Sequence, residues 1–183
     1  MRTWMLGVML AMAARAEHCP QLRTVSIRIF DDVGLDRKTV SVARHEAGWI
    51  LKSLCLAVDW SEAAGSQLEI RIRHRPEVAE ITADALGLAM PTFGKGNHGA
   101  VFFDRIQERA GNLTASLPVL LACVLAHEAG HLLLHTNDHS AEGVMIRNFG
   151  RVEIQMAGRR RLTFTAADRN RFGLVQLAGA TRR

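Results

Sequence analysis

The sequence predicts a single mixed α/β domain of the α+β class, with a small mixed sheet, a long apolar helix and a helical C-terminal tail. Two observations support this class. Short stretches that alternate polar and apolar residues, typical of half-buried strands, all lie before residue 107. Stretches with apolar residues every three or four positions, typical of helices, make up the chain after residue 117, and no internal repeat or linker divides it.

The N-terminal half begins with a strand, a helix and two further strands. RTVSIRIFD (23–31) alternates apolar and polar residues, and Asp36 then precedes a helical pattern that continues to Leu54. AVDW (57–60) is predicted to be a short strand. QLEIRIRHR (67–75) gives the clearest strand signal, because three apolar residues alternate with charged ones.

The segment between Pro76 and Gly99 is predicted to be rich in loops. A short helix is expected around 79–86, and MPTFGKGNHG (90–99) has the glycine and proline content of a mobile surface loop. Within that loop, His98 is a candidate for contact with a substrate. GAVFFDRI (99–106) is predicted to be the last strand, and its GAVFFD portion a sheet edge that an extended peptide could join.

Helices dominate the remainder of the chain. The longest apolar helix is LPVLLACVLAHEAGHLLLH (117–135), with a proline in its first turn. A short helix is predicted over Arg151–Met156. A capping box, Thr165-Ala-Ala-Asp168, starts a last helix that continues to Leu177.

The first 16 residues are predicted to be a secretory signal peptide. Arg2 precedes an apolar run from Trp4 to Ala14 that is too short to span a bilayer, and Ala14-Arg15-Ala16 supplies a small-residue cleavage signal. Cleavage would leave residues 17–183 as a secreted or periplasmic domain without a transmembrane anchor. An uncleaved amphipathic helix is the alternative.

No nucleic-acid partner is expected, although the chain is basic. The chain is 48% apolar and 22% charged, as in an ordinary globular protein. Its net charge of +5 derives largely from arginines late in the sequence, without a recognisable nucleic-acid motif. We therefore interpret the basic tail as a solvated helical surface.

The three cysteines all follow the predicted cleavage site, so a disulfide is compatible with export. Cys123 lies inside the apolar helix, where it is expected to be a small buried side chain. Cys19 and Cys55 are then the more plausible pair. No C-x-x-C spacing supports a cysteine-ligated metal.

HEAGH, residues 127–131, contains two candidate metal ligands and a candidate general base. His127 and His131 lie one turn apart on a helix, so both imidazoles can reach a single Zn²⁺. Glu128 is placed to act as the general base toward a water whose pKa the metal lowers. A metal would also compensate the cost of burying three polar side chains in an apolar helix.

The third ligand has three candidates. His135 lies eight residues beyond His127, roughly 12 Å along the helix axis, whereas two ligands of one zinc each lie at about 2 Å from it. A turn through Thr136, Asn137 and Asp138 would instead bring His139 back toward the helix. His139 is favoured because neutral imidazole suits zinc, and Asp138 is the alternative ligand.

HEAGH, a nearby third histidine and the Met145 of EGVM resemble the metzincin metalloproteases. The overall form is similar to small archaemetzincin-like exported proteins of bacteria. The resemblance covers about twenty residues, and it implies a metzincin-like zincin domain in which Met145 is the Met-turn residue beneath the metal.

The sequence departs from the family pattern H-E-x-x-H-x-x-G-x-x-H at two positions. Leu134 stands at the glycine and Asn137 at the third histidine, so His139 arrives two residues late. The chain also has no tyrosine, whereas some metzincins use one at the metal. Stabilisation of the transition state is then left to the metal and to another donor.

These features predict an exported zinc-dependent endopeptidase that hydrolyses peptide bonds of peptide or protein substrates through a metal-activated water. The alternative is a non-catalytic zinc-binding domain or a secreted interaction domain. The presence of Glu128 favours the enzyme, because a structural zinc site has no need of a general base and normally closes all four positions with protein ligands.

Overall fold

A five-stranded sheet and five helices build the part of the chain that the computed structural model describes. The described residues are Cys19, 22–60, 66–77, 81–91 and 97–180, with side chains described as far as Gln176. The predicted signal peptide, 1–16, lies outside them.

The sheet is mixed, as the sequence predicts. Its strands are β1 (Arg23–Asp31), β2 (Leu56–Asp59), β3 (Leu68–Arg73), β4 (Gly87–Met90) and β5 (Asn97–Phe102). They are arranged in the order β2-β1-β3-β5-β4, and neighbouring strands are parallel except for β4, which pairs antiparallel with β5 at one edge. The helices are α1 (Arg37–Leu51), α2 (Phe103–Leu113), α3 (Leu117–Leu134), α4 (Arg151–Gly158) and α5 (Ala166–Ala180), with a single 3₁₀ turn over Lys52–Leu54.

Local signals in the sequence fix several of these elements. Leu68, Ile70 and Ile72 of β3 are buried on one face of the sheet, as their alternation predicts. The Asp36 carboxylate accepts the backbone N–H of Thr39 and so caps α1. These two elements confirm the predicted strand and helix.

Helix α3 lies at the centre of the molecule. It packs against α1, α2 and the sheet, and it also contacts α4 and α5. The helix is long and apolar enough to cross a membrane, but 78% of it is buried inside the protein. Its apolar character on all sides is therefore what a core helix requires.

The predicted Cys19–Cys55 disulfide is confirmed, with the two Cα atoms 5.4 Å apart. It ties the start of the described chain to the turn before β2. Cys123 is a buried free thiol, and burial raises its pKa to about 12. Because disulfides persist in oxidising compartments, the bond agrees with the predicted export.

The predicted strand over 99–106 is only partly correct. Strand β5 ends at Phe102 and α2 begins at Phe103, without a glycine, proline or other turn residue between them. The two consecutive phenylalanines have the residue type of a strand, so the local pattern gives no sign of the boundary. Helix α2 was missed for this reason.

The predicted sheet edge at GAVFFD is wrong. Strand β5 lies between β3 and β4, so the edge strands of the sheet are β4 and, on the other side, β2. Residues 81–86 form no helix. The helix expected at 79–86 is therefore wrong over the residues that the structure describes. Strand β4 was missed because it has only four residues and falls in a stretch predicted to be a loop.

Candidate metal centre

His127 and His131 project side by side from α3, and each is anchored by a backbone carbonyl. The Nδ1 of His127 lies 2.8 Å from the carbonyl oxygen of Val144, and the Nδ1 of His131 lies 2.8 Å from that of Thr136. A carbonyl oxygen only accepts hydrogen bonds, so in both rings Nδ1 carries the proton. These anchors fix the tautomer and the orientation of both imidazoles.

The two remaining ring nitrogens face each other. The Nε2 atoms of His127 and His131 are 2.9 Å apart. Because both protons reside on Nδ1, each Nε2 presents a lone pair, and two lone pairs cannot form a hydrogen bond. Burial, reinforced by the neighbouring His131, lowers the pKa of His127 to about 3, which favours neutral imidazoles. The pair therefore has the chemistry of a cation site.

His139 completes the group from outside the helix. Its ring centroid lies 5.3 Å from that of His127 and 5.0 Å from that of His131. One potential ligand atom from each of the three histidines lies within 4.8 Å of the others, so the group could hold a metal ion. His127 and His131 are buried, whereas His139 is exposed.

The turn that delivers His139 begins at His135. Helix α3 ends at Leu134, and His135 adopts the left-handed conformation with φ 46° and ψ 49°. The backbone N–H groups of His135 and Thr136 both donate to the carbonyl oxygen of His131. His135 thus caps the helix in the left-handed conformation, and it lies outside the three-histidine group.

Asp138, the alternative ligand, also lies outside the group. Its exposed carboxylate accepts hydrogen bonds from the Thr136 hydroxyl at 2.9 Å and the Arg171 guanidinium at 3.1 Å. The hydrogen bond from Thr136, followed by that from Arg171, lowers the pKa of this carboxyl. The carboxylate is thus engaged with these partners next to His139.

Glu128 is buried between the helix and the edge strand. Burial raises the pKa of its carboxyl to about 8. A Cβ on Gly87 of β4 would lie 2.7 Å from the Glu128 Cδ and 2.8 Å from the Ala100 carbonyl oxygen, and would also collide with Glu128 Oε1. Only glycine fits here, so the backbone of β4 forms one side of the space around Glu128.

Met145 is buried directly beneath the histidine-bearing turn of α3. A Cβ on Gly130 would lie 2.5 Å from the Met145 sulfur and 2.7 Å from the Phe164 ring. The preceding residue, Val144, is the one that anchors His127. Met145 therefore supports the helix between the two histidines, and its place beneath a metal stays a prediction.

We expect Gly130→Ala to lower the free energy of unfolding by about 1–3 kcal/mol, since the added methyl group overpacks the contact with Met145 and Phe164. Gly173→Ala is the matched control, because a Cβ there meets nothing within 4 Å. Removing a glycine from the interior of a helix should stabilise the control by roughly 0.5–1 kcal/mol. Urea denaturation of both variants measures the difference, and equal stabilities would contradict the packing role of Gly130.

An open cleft runs across the three histidines. One wall is formed by residues 84–89, including β4, and the other by Asn137, His139 and residues 147–149. Arg147 is exposed in this second wall and forms no ion pair with any described residue. The chain has no tyrosine to donate a hydrogen bond in this cleft. Other donors line it, namely the guanidinium of Arg147 and the amides of Asn137 and Asn148.

The structure does not place His98 in the cleft. His98 lies on β5 with its Nδ1 3.3 Å from a carboxylate oxygen of Glu69, in a separate pocket on the sheet. The neighbouring Gly99 faces Leu132 of α3, so His98 points to the opposite face. His98 therefore lies away from the three histidines, and its contact with a substrate stays a prediction.

No protein-family model matches the chain, and no curated protein matches it. Among solved structures, a chain from the GM1 bound form of the ECX AB5 holotoxin is similar at 12% sequence identity with a TM-score of 0.42. The similarity covers 82% of this chain and 77% of that chain. A likeness at this level carries no functional assignment, so function is argued from the chain's own residues.

Proposed function

We propose that the chain is an exported zinc-dependent endopeptidase. The observation that carries the proposal is the pair of Nε2 atoms of His127 and His131, which face each other 2.9 Å apart while both Nδ1 atoms are held by carbonyl oxygens. His139 lies beside this pair, and Glu128 follows His127 on the same helix.

Zinc fits this donor set better than Mg²⁺ or Ca²⁺ does. Three neutral imidazoles suit Zn²⁺, whereas Mg²⁺ and Ca²⁺ prefer oxygen ligands. Three protein ligands would also leave one zinc position open, which is the pattern of catalytic rather than structural sites. When bound, zinc would supply Lewis acidity and lower the pKa of a water in that open position.

Glu128 would act as the general base. Its carboxylate would accept a proton from the attacking water and pass it to the leaving amine. Burial favours the neutral acid, and a divalent cation nearby would restore the charged, proton-accepting form. The close backbone of Gly87 would limit the positions that the carboxylate can adopt.

Strand β4 would receive the substrate. The N–H of Phe102 donates to the carbonyl oxygen of Leu86, so the opposed pairs 86/102, 88/100 and 90/98 form the hydrogen-bonded steps of the ladder. The N–H and C=O groups of Gly87 and Ala89 then point to the open edge. An extended peptide pairing there would lie along the wall of the cleft, with its backbone near the histidines.

The proposed function is tested with the purified protein and a library of unstructured peptides. We expect about one zinc per chain and cleavage products that map to internal peptide bonds. 1,10-Phenanthroline should remove both zinc and activity, zinc chloride should restore them, and the non-chelating 1,7 isomer is the matched control. Zinc binding without cleavage would support the non-catalytic alternative. Cleavage that survives loss of the metal would exclude the proposed mechanism.

A further inference from the structure

His139 differs from the other two histidines in how it is held. His127 and His131 are carried by a buried helix and anchored through Nδ1, whereas His139 lies in the irregular segment 136–140 and is exposed. No described residue donates or accepts a hydrogen bond at its ring. Its position must therefore be fixed through its chain neighbours.

The residue before His139 is tied to the last helix. The Asp138 carboxylate accepts a hydrogen bond from the Arg171 guanidinium of α5 at 3.1 Å. The same carboxylate oxygen accepts the Thr136 hydroxyl at 2.9 Å, and that hydroxyl accepts the backbone N–H of Asp138 at 3.0 Å. Arg171 thus binds the carboxylate of a small turn, 136–138, whose own hydrogen bonds already hold it together.

The residue after His139 is tied to the same helix. The Ser140 hydroxyl donates to Oδ1 of Asp168 at 2.9 Å, and the Ser140 backbone N–H donates to the carbonyl oxygen of Met145. Asp168 is only 6% exposed. Its other oxygen accepts the backbone N–H and the hydroxyl of Thr165, both at 2.8 Å, so the capping box holds it rigidly.

We propose that Asp168 and Arg171 are positioning residues for His139, and that α5 thereby contributes to the affinity of the proposed metal site. The two residues are three apart and so lie on one face of the helix. They hold the residues on either side of His139, which fixes the backbone of the third histidine from both directions. The inference rests on the proposed metal site and concerns metal affinity rather than turnover.

The main test measures zinc affinity by competition with a chromophoric chelator, with zinc chloride as the only added ligand. Ser140→Ala and Arg171→Ala should each weaken binding by about tenfold, at the lower end of the effect of outer-shell partners. Ser140→Thr keeps the hydroxyl and should restore affinity. Ser41→Ala and Arg159→Ala, at exposed positions away from the cleft, are matched controls and should bind as the wild type does.

A double-mutant cycle separates positioning from general destabilisation. In a His139→Ala background, Ser140→Ala and Arg171→Ala should have no further effect on zinc affinity, because the third histidine is no longer there to be positioned. Equal losses in both backgrounds would overturn the inference, as would wild-type affinity in the single variants. Zinc binding without hydrolysis would overturn only the proposed function, since this measurement needs no substrate.

Discussion

Glu128→Gln is expected to reduce peptide hydrolysis by about 10²- to 10⁴-fold, the usual contribution of a general base, while one zinc remains bound. Glutamine keeps the volume of the buried side chain, so the packing against Gly87 is preserved. It cannot accept the proton that hydrolysis releases. The change should therefore appear in kcat, with little effect on zinc content or on the free energy of unfolding.

Steady-state kinetics together with elemental analysis of the same preparation measure this outcome. Glu108→Gln is the matched control, because Glu108 is exposed on α2 away from the cleft. It should hydrolyse peptides at the wild-type rate. Unchanged turnover in Glu128→Gln would remove Glu128 from the mechanism, even if the metal site is intact.

His131→Ala is expected to abolish stable zinc binding. It removes a proposed ligand and also breaks the hydrogen bond to Thr136 at the start of the turn that carries His139. The loss of affinity should exceed the roughly 10- to 100-fold cost of removing an outer-shell partner. Since a bound ligand stabilises the folded state by mass action, added zinc should raise the Tm of the wild type but not that of this variant.

His135→Ala is the matched control for that loss, because it removes the imidazole of the residue that caps the same helix, four residues after His131 and outside the three-histidine group. Among the candidates for the third ligand, His139→Ala should weaken zinc binding far more than His135→Ala does. Asp138→Ala should fall between them, since it releases Arg171 from the neighbouring turn. Equal zinc affinity in the His139→Ala and His135→Ala variants would reject His139 as a ligand.

The arrangement of the histidines could be predicted from the sequence because it depends on local geometry. Residues four apart on a helix share a face, which brings His127 and His131 together from spacing alone. The rise of a helix excludes His135 from the same ion, and the turn formers after it indicate a reversal before His139. Which backbone carbonyls anchor the rings follows from tertiary structure, and no local pattern marks Val144 for that role.

The walls of the cleft could not be predicted, because they are made by contacts between distant residues. Gly87 lies close to Glu128 because β4 pairs with β5. No local signal in the sequence marks a four-residue strand inside a loop-like stretch. Asp168 was recognisable as part of a capping box. Its bond to Ser140, 28 residues away in the chain, depends on how α5 packs.

No described strand pairs with the outer edge of β4, and such edges are liable to pair with any extended chain, including another copy of the same protein. The edge is four residues long, and only Gly87 and Ala89 turn their backbone groups outward, so an added strand can gain only a few hydrogen bonds. Unintended pairing is therefore weak. A bound chain that also reaches the three histidines would make further contacts in the cleft. The protein would then select chains by their fit to the cleft rather than by backbone pairing alone.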